Sequence, residues 1–259
     1  MSFFRNFPKT SYDYFNTGVN TRIIDLFRYV KPLNTLDDEL TAYTFYKIEE
    51  GDRPDIVSQK VYGTPEYYWT FFITNDSLRT GLGEWPMSFN EFDKYMAEEY
   101  SGVTFTFRPQ YNYTGDGLLQ SIENSVAGKF QIGETVIGTL SGATGKIESK
   151  EPTMQQLSIV DVVGTFRSNE IIRGQTTLNS SITYEVFDTQ VAPHHYEDNL
   201  GRRVNNAIHI DGGLPPVQLN TVTNYEYEYN LNEQRSNIRI ISNDRIFEFA
   251  DSYQELLNT

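Results

Sequence analysis

The chain of 259 residues has no cysteine and only three histidines, and it is poor in positive charge: 21 Lys+Arg stand against 35 Asp+Glu, a formal net charge of −14. Without thiols, disulfides and thiolate metal sites are excluded. Without a basic run, nucleic acid is not an expected partner, because affinity for DNA or RNA comes largely from Lys and Arg displacing counterions from phosphates. Long apolar runs are missing as well. The densest, Tyr67 to Ile73, is a third of the roughly 18–20 residues that a membrane span takes, so no membrane partner is expected. The opening residues Met1 to Pro8 carry no apolar h-region and no small-residue cleavage site, so the reading is a soluble intracellular product without an export signal.

Catalytic signatures are equally scarce. His194 and His195 are adjacent, a spacing that points two side chains apart in most backbones, and HExxH is absent. The stretch Gly138 to Ile147 has the glycines of a phosphate loop. It fails the pattern, because Leu140 and Ile147 stand where glycine and a hydroxyl residue are required, and tight hairpin turns explain the glycines. No G-x-S-x-G supports a serine hydrolase. A glycosidase pair drawn from the 35 acids stays open as a lesser alternative. The visible acidic clusters, Asp37-Asp38-Glu39 and Glu49-Glu50 with Asp52 and Asp55, sit in turns and first helical turns, where the helix dipole favours them. The expectation is therefore no enzyme: no catalytic residue, no cofactor and no metal.

What the chain does have is aromatic residues, 18 Tyr, 17 Phe and 2 Trp. So many rings in a polar chain argue against disorder, and something must bury them. The pattern predicts an α+β protein in five parts. Residues 1–40 read as an extended arm with a short helix, since Ile23, Leu26, Phe27 and Val30 share a helical face that Pro32 ends. Residues 41–102 read as a small α/β module. In it a strand from Tyr43 to Ile48 precedes a helix with Asp52 as N-cap, Pro54 in its first turn and Gly63 as its stop. Thr64-Pro65-Glu66 then opens a second helix with Tyr68, Trp69, Phe72 and Ile73 on its apolar face, closed at Asn75-Asp76. Ser88-Phe89-Asn90-Glu91 is a capping box that opens a third, to about Tyr100.

Residues 103–127 read as a connecting strand and loop. Residues 128–187 carry an internal repeat: Gly128, Phe130, Glu134, Val136 and Gly138 recur as Gly164, Phe166, Glu170, Ile172 and Gly174, each 36 positions on. Two such hairpin units, with Leu157 to Val163 as a strand between them, predict an inserted barrel or sandwich. In residues 188–259, Tyr225 to Tyr229 alternates and reads as a strand with one aromatic face. Ile246, Phe249, Ala250, Tyr253, Leu256 and Leu257 form the stripe of an amphipathic terminal helix that wants a partner surface.

The segment from Tyr46-Lys47-Ile48-Glu49-Glu50-Gly51-Asp52 through Tyr62-Gly63 and the aromatic helix with Trp69 to Asn75-Asp76 resembles a LysM module. With Ile24-Asp25-Leu26-Phe27-Arg28-Tyr29 before it and Trp85 after it, the longer string resembles the LysM-containing baseplate wedge protein of T-even-type contractile-tailed bacteriophages. The resemblance spans roughly residues 20 to 100, and the repeat module is an addition to it. It implies a β-α-α-β module whose motif residues are Gly51, Asp52, Tyr62, Gly63, Trp69, Asn75 and Asp76. It further implies a structural subunit of the virion's tail baseplate, made in the host cytoplasm. Its partners would be other wedge proteins, neighbouring wedges, and sheath-initiator or tube-proximal proteins. Ile24, Leu26, Phe27 and Tyr29 would dock the arm, and Ile246, Phe249, Tyr253, Leu256 and Leu257 would dock the last helix. The alternative is a tail protein that uses an active LysM site on peptidoglycan, a partner this reading ranks low.

Overall fold

The computed structural model describes residues 7–25, 43–107, 111–113, 119–121, 129–204 and 219–258. It is an α+β protein. The chain forms β1 (Lys9–Tyr12), β2 (Thr21–Ile24), β3 (Tyr43–Lys47), α1 (Pro54–Tyr62), α2 (Trp69–Thr74), α3 (Phe89–Glu99) and β4 (Val103–Thr106). A small hairpin, β5 (Tyr111–Tyr113) with β6 (Leu119–Ser121), follows. Next come β7 (Thr135–Gly138), β8 (Thr144–Glu151), β9 (Gln156–Val163), β10 (Ile171–Gly174), β11 (Ser180–Ile182) and β12 (Val186–Asp188). The remainder is β13 (Pro193–Glu197), β14 (Arg203–Val204), β15 (Asn220–Thr223), α4 (Asn224–Ser236), β16 (Asn237–Ile241) and α5 (Ile246–Asn258).

Two compact units divide these elements. The first draws on Met1–Asn90 and Leu231–Thr259, the second on Glu91–Asn230. The chain thus leaves the first unit within α3 and re-enters it within α4.

In the first unit β3 pairs antiparallel with β16, Tyr43 opposite Ile241 and Lys47 opposite Asn237. The order in space is strand, helix, helix, strand, but the closing strand arrives from the far end of the sequence. Val57 and Tyr62 of α1, Trp69 and Phe71 of α2, Ile238, Ile240 and Ile241 of β16, and Ile246, Phe249, Tyr253 and Leu257 of α5 share one core. The terminal helix is therefore consumed by its own chain. The expectation that Ile246, Phe249, Tyr253 and Leu257 dock on a partner is corrected, because all four are buried here, and Leu256 is half-buried.

Three local expectations in this unit also change. Asp52 does not cap α1: Arg53 holds the N-cap position without a side-chain bond, and the Asp52 carboxylate instead meets Lys60 Nζ at 2.6 Å. On α2 the most deeply buried ring is Phe71, while Phe72 and Ile73 are half-buried. In the arm, Ile23 and Ile24 lie in a strand rather than a helix, since Thr21-Arg22-Ile23-Ile24 is three-quarters β-branched and such side chains fit a pleated strand. Leu26, Phe27, Tyr29 and Val30 lie outside the described residues.

The second unit is organised by a seven-stranded sheet in the order β11-β10-β7-β8-β9-β4-β12. It curls into a half-barrel. Where a barrel or sandwich was expected there is one curled, half-barrel sheet, and β4, expected to be a connector, is built into it between β9 and β12. Phe105, Phe130, Val136, Ile147, Leu157, Ile159, Phe166 and Ile172 fill its core.

The repeat becomes a local two-fold. Val136 stands opposite Gly174 and Gly138 opposite Ile172, so each repeat presents to the other what it receives. Glu134 and Glu170 seal this arrangement. Glu134 accepts N–H bonds from Gln131 (2.6 Å), Thr176 (3.3 Å) and Thr177 (3.1 Å) and the Thr177 hydroxyl (3.1 Å). Glu170 accepts the equivalent bonds from Arg167 (2.6 Å), Leu140 (3.2 Å), Ser141 (3.0 Å) and the Ser141 hydroxyl (2.9 Å). Each carboxylate thus clamps the turn of the opposite repeat. Glycine is required beside each clamp: a Cβ on Gly138 would stand 2.6 Å from Glu170 Oε2, and one on Gly174 would stand 2.4 Å from Glu134 Oε2.

Tyr225 to Tyr229 is helical, within α4, and the expected strand is overturned. Thr223 and Glu226 form a capping box, the Glu226 N–H donating to Thr223 Oγ1 at 3.2 Å and the Thr223 N–H to the Glu226 carboxylate at 2.9 Å. Tyr225 and Tyr229, one turn apart, then both pack edge-on to Phe92. The alternating tyrosines are a coincidence of composition, since the segment from Asn224 to Ser236 has no β-branched residue.

Candidate functional site

Among the described residues of the first unit, the hairpin of β1 and β2 stands out as an element exposed along its whole length. Lys9 pairs with Ile24 and Tyr12 with Thr21, and the Asp25 N–H extends the ladder to the Pro8 carbonyl at 2.8 Å. All eight strand residues are exposed. An isolated two-stranded hairpin is marginal in water because it has no third layer to bury a face against. This one is tethered at its base by Phe7, which is buried in the core of the first unit.

Its tip is organised. The Asp13 carboxylate accepts the N–H groups of Thr17 (3.0 Å) and Gly18 (2.6 Å), and Gly18 takes the left-handed φ of +79° that lets the chain return. These bonds hold the Asp13 carboxyl below the usual carboxylate range. On this loop Tyr14 and Phe15 are 73% and 80% exposed, edge to face with ring centroids 5.1 Å apart, and Tyr12 packs edge-on to Tyr14. Exposed aromatics at the tip, with exposed Val19, Ile23 and Ile24 on the same hairpin, make a surface of the composition that protein interfaces favour. The sequence reading expects the arm to dock because it lacks a core, and it does not single out the tip residues Tyr12, Tyr14 and Phe15, although Asp13 followed by Asn16-Thr17-Gly18 is turn chemistry.

The motif residues of the module serve its architecture. Gly51 turns the chain with φ +75°, and the Asp52 carbonyl accepts the Trp85 indole N–H at 2.7 Å. Lys60 bridges Asp52 and Glu49, which together hold its pKa well above the usual lysine value. Tyr62 donates to the Ile241 carbonyl at 3.0 Å, and burial pushes its hydroxyl up to about 12. Gly63 caps α1 with φ +73° and donates its N–H to the Gln59 carbonyl. Trp69 is 7% exposed and packs against both Phe249 and Tyr253, so its rings are spent on the core. Asp76 is exposed at the start of the short 3-10 turn to Leu78.

Asn75 is the keystone of this set. Its Nδ2 donates to the carbonyls of Phe71 (2.9 Å) and Arg239 (2.8 Å), and its Oδ1 accepts the Arg239 N–H at 2.8 Å. A buried side-chain amide thereby mimics a strand partner for β16. Thr74 and Arg239, which sequence reading missed, complete the joint: Thr74 Oγ1 donates to the Arg239 carbonyl (3.1 Å) and the Arg239 guanidinium to the Thr74 carbonyl (3.0 Å). Asn75→Ala leaves the Arg239 N–H without its Asn75 acceptor and takes one donor from each of the Phe71 and Arg239 carbonyls, at a buried side chain. It should cost about 3 kcal/mol in urea denaturation of the first unit, followed through tryptophan emission.

Among the described residues no group of three or more His, Cys, Asp or Glu is placed to hold a metal ion, and no helix is long and apolar enough to cross a membrane. Neither protein-family models nor curated proteins give a match to the chain.

Proposed function

We propose that the chain is a non-catalytic structural subunit of a contractile-tail baseplate, a wedge protein that ties its neighbours together. The observation that carries this reading is the hairpin: a segment whose strands are exposed, pinned at Phe7 and offering aromatic side chains to the outside. The resemblance of residues 20 to 100 to baseplate wedge proteins supplies the kind of assembly. The strand-helix-helix-strand order of the first unit supports a LysM-like module used as scaffold. In this reading Gly51, Asp52, Tyr62, Gly63, Trp69 and Asn75 hold the module together rather than bind sugar.

Tyr14→Ala with Phe15→Ala tests the docking role without disturbing the fold. Both rings are exposed, so the melting temperature should not move, while incorporation into wedges, measured by co-sedimentation with purified wedge proteins, should fall at least tenfold. Unchanged incorporation would remove the hairpin from the account. Sedimentation with purified cell wall addresses the sugar-binding alternative, for which saturable retention of the chain is the required result.

A further inference from the structure

The charges on the hairpin are sorted. In an antiparallel pair, residues directly opposite one another share a face. Lys9, Ile24, Ser11 and Arg22 therefore make one face of β1 and β2, and Thr10, Ile23, Tyr12 and Thr21 make the other. The eight strand residues include two cations and no carboxylate, in a chain whose net charge is −14. Among the described residues no ion pair joins Lys9 or Arg22 to an acid. The carboxylate between the strands, Asp13, is turned into the tip loop, where it accepts the Thr17 and Gly18 N–H groups.

An exposed edge strand often carries a cation only to keep other strands from pairing with it. A charge of either sign serves that purpose. Here both cations lie on one face as diagonal neighbours across the pair, and the exposed rings of Tyr14 and Phe15 follow at the tip. We propose that the hairpin docks on an acidic surface of another wedge protein, with Lys9 and Arg22 facing carboxylates while Tyr14 and Phe15 enter an apolar site. This partner chemistry rests on the docking role of the hairpin. The acidity of the remaining chain does not forbid it, because at about 0.1 M salt the Debye length is about 10 Å and the charges in contact decide.

Lys9→Glu with Arg22→Glu in the full chain separates the two roles of the cations, by co-sedimentation with purified wedge proteins. Both positions are exposed and stay charged, so the melting temperature and the solubility should not move. Incorporation at about 50 mM salt should fall at least tenfold. At about 500 mM salt variant and parent should converge, since the Debye length is then about 4 Å and both the attraction and the repulsion are screened. Lys9→Arg with Arg22→Lys should keep incorporation within about threefold of the parent.

Equal incorporation of parent and reversal variant, with the Tyr14→Ala and Phe15→Ala variant impaired, would overturn the acidic partner and leave the docking role standing. Normal incorporation of the ring variant would remove the docking role, and the acidic partner with it. Sedimentation velocity of the chain alone addresses a second copy as occupant: self-association that the reversal abolishes would overturn another wedge protein as the partner.

Discussion

A chain ending at residue 236 should lose the first unit and keep the second. Residues 237–258 bring Ile238, Ile240, Ile241, Ile246, Phe249, Ala250, Tyr253 and Leu257 to the core, leaving β3 without its partner strand when they are removed. Each large apolar side chain contributes about 1.5–3 kcal/mol on burial. Their sum exceeds the roughly 5–15 kcal/mol by which a whole domain is stable. Both tryptophans of the chain, Trp69 and Trp85, lie in this unit, so fluorescence reports on it alone. The truncated chain should show solvent-exposed tryptophan emission, while circular dichroism retains the cooperative melt of a β-rich unit. Native-like emission would mean that β16 and α5 are dispensable.

The second large effect belongs to the clamp glutamates. Glu170→Ala removes a fully buried carboxylate that ties together the N–H groups of Arg167, Leu140 and Ser141 and one hydroxyl; water can reach part of these turns, so the loss should be about 3 kcal/mol by thermal or chemical unfolding of the second unit. Glu134→Ala should match it, because the local two-fold gives both residues the same task. The pair also sets a pH dependence. Burial raises each carboxyl, but the hydrogen bonds from Gln131, Thr177 and Thr176 to Glu134, and from Arg167, Ser141 and Leu140 to Glu170, outweigh it. Both end below the usual range. A carboxyl depressed on folding stabilises the protein above its unfolded value. That stability is lost as the pH falls through the folded value, so the second unit should weaken steadily below about pH 4.5. Replacing both with glutamine should flatten that slope, and an unchanged slope would assign acid unfolding to other groups.

The sequence carried these two units unequally. Glu134, Glu170, Gly138 and Gly174 were visible as a 36-residue repeat because a clamp built twice leaves its residues twice. Their reciprocity was not visible, since it depends on strands that meet only in the sheet. Ser141 and Thr177 repeat at the same offset and were the unused clue. α1 followed from Pro54 and Gly63, and α3, where the chain passes into the second unit, from the Ser88 capping box, all local signals. Its closing strand escaped because Asn237 to Ile241 is five residues long and pairs with a strand some 190 positions earlier. Missing that strand made the terminal helix look unpartnered, when its apolar stripe in fact completes the core that β16 closes. The Tyr225 to Tyr229 alternation misled for a different reason: period-two tyrosines are read as a strand unless the Thr223–Glu226 capping box before them is weighed.

On the proposed reading the hairpin is what links this architecture to assembly. Its base rests on Phe7, in a core that residues 237–258 complete, so removing those residues should also disable the proposed docking. The net charge of −14 would suit such a subunit, kept dispersed until neighbours cover the exposed rings.

A density map of the intact phage tail tests the central claim most directly. The account predicts this chain in the baseplate, with the loop from Asp13 to Gly18 and the rings of Tyr14 and Phe15 buried against a neighbouring subunit. A baseplate in which that hairpin stands in solvent, or in which the chain has no place, would contradict it.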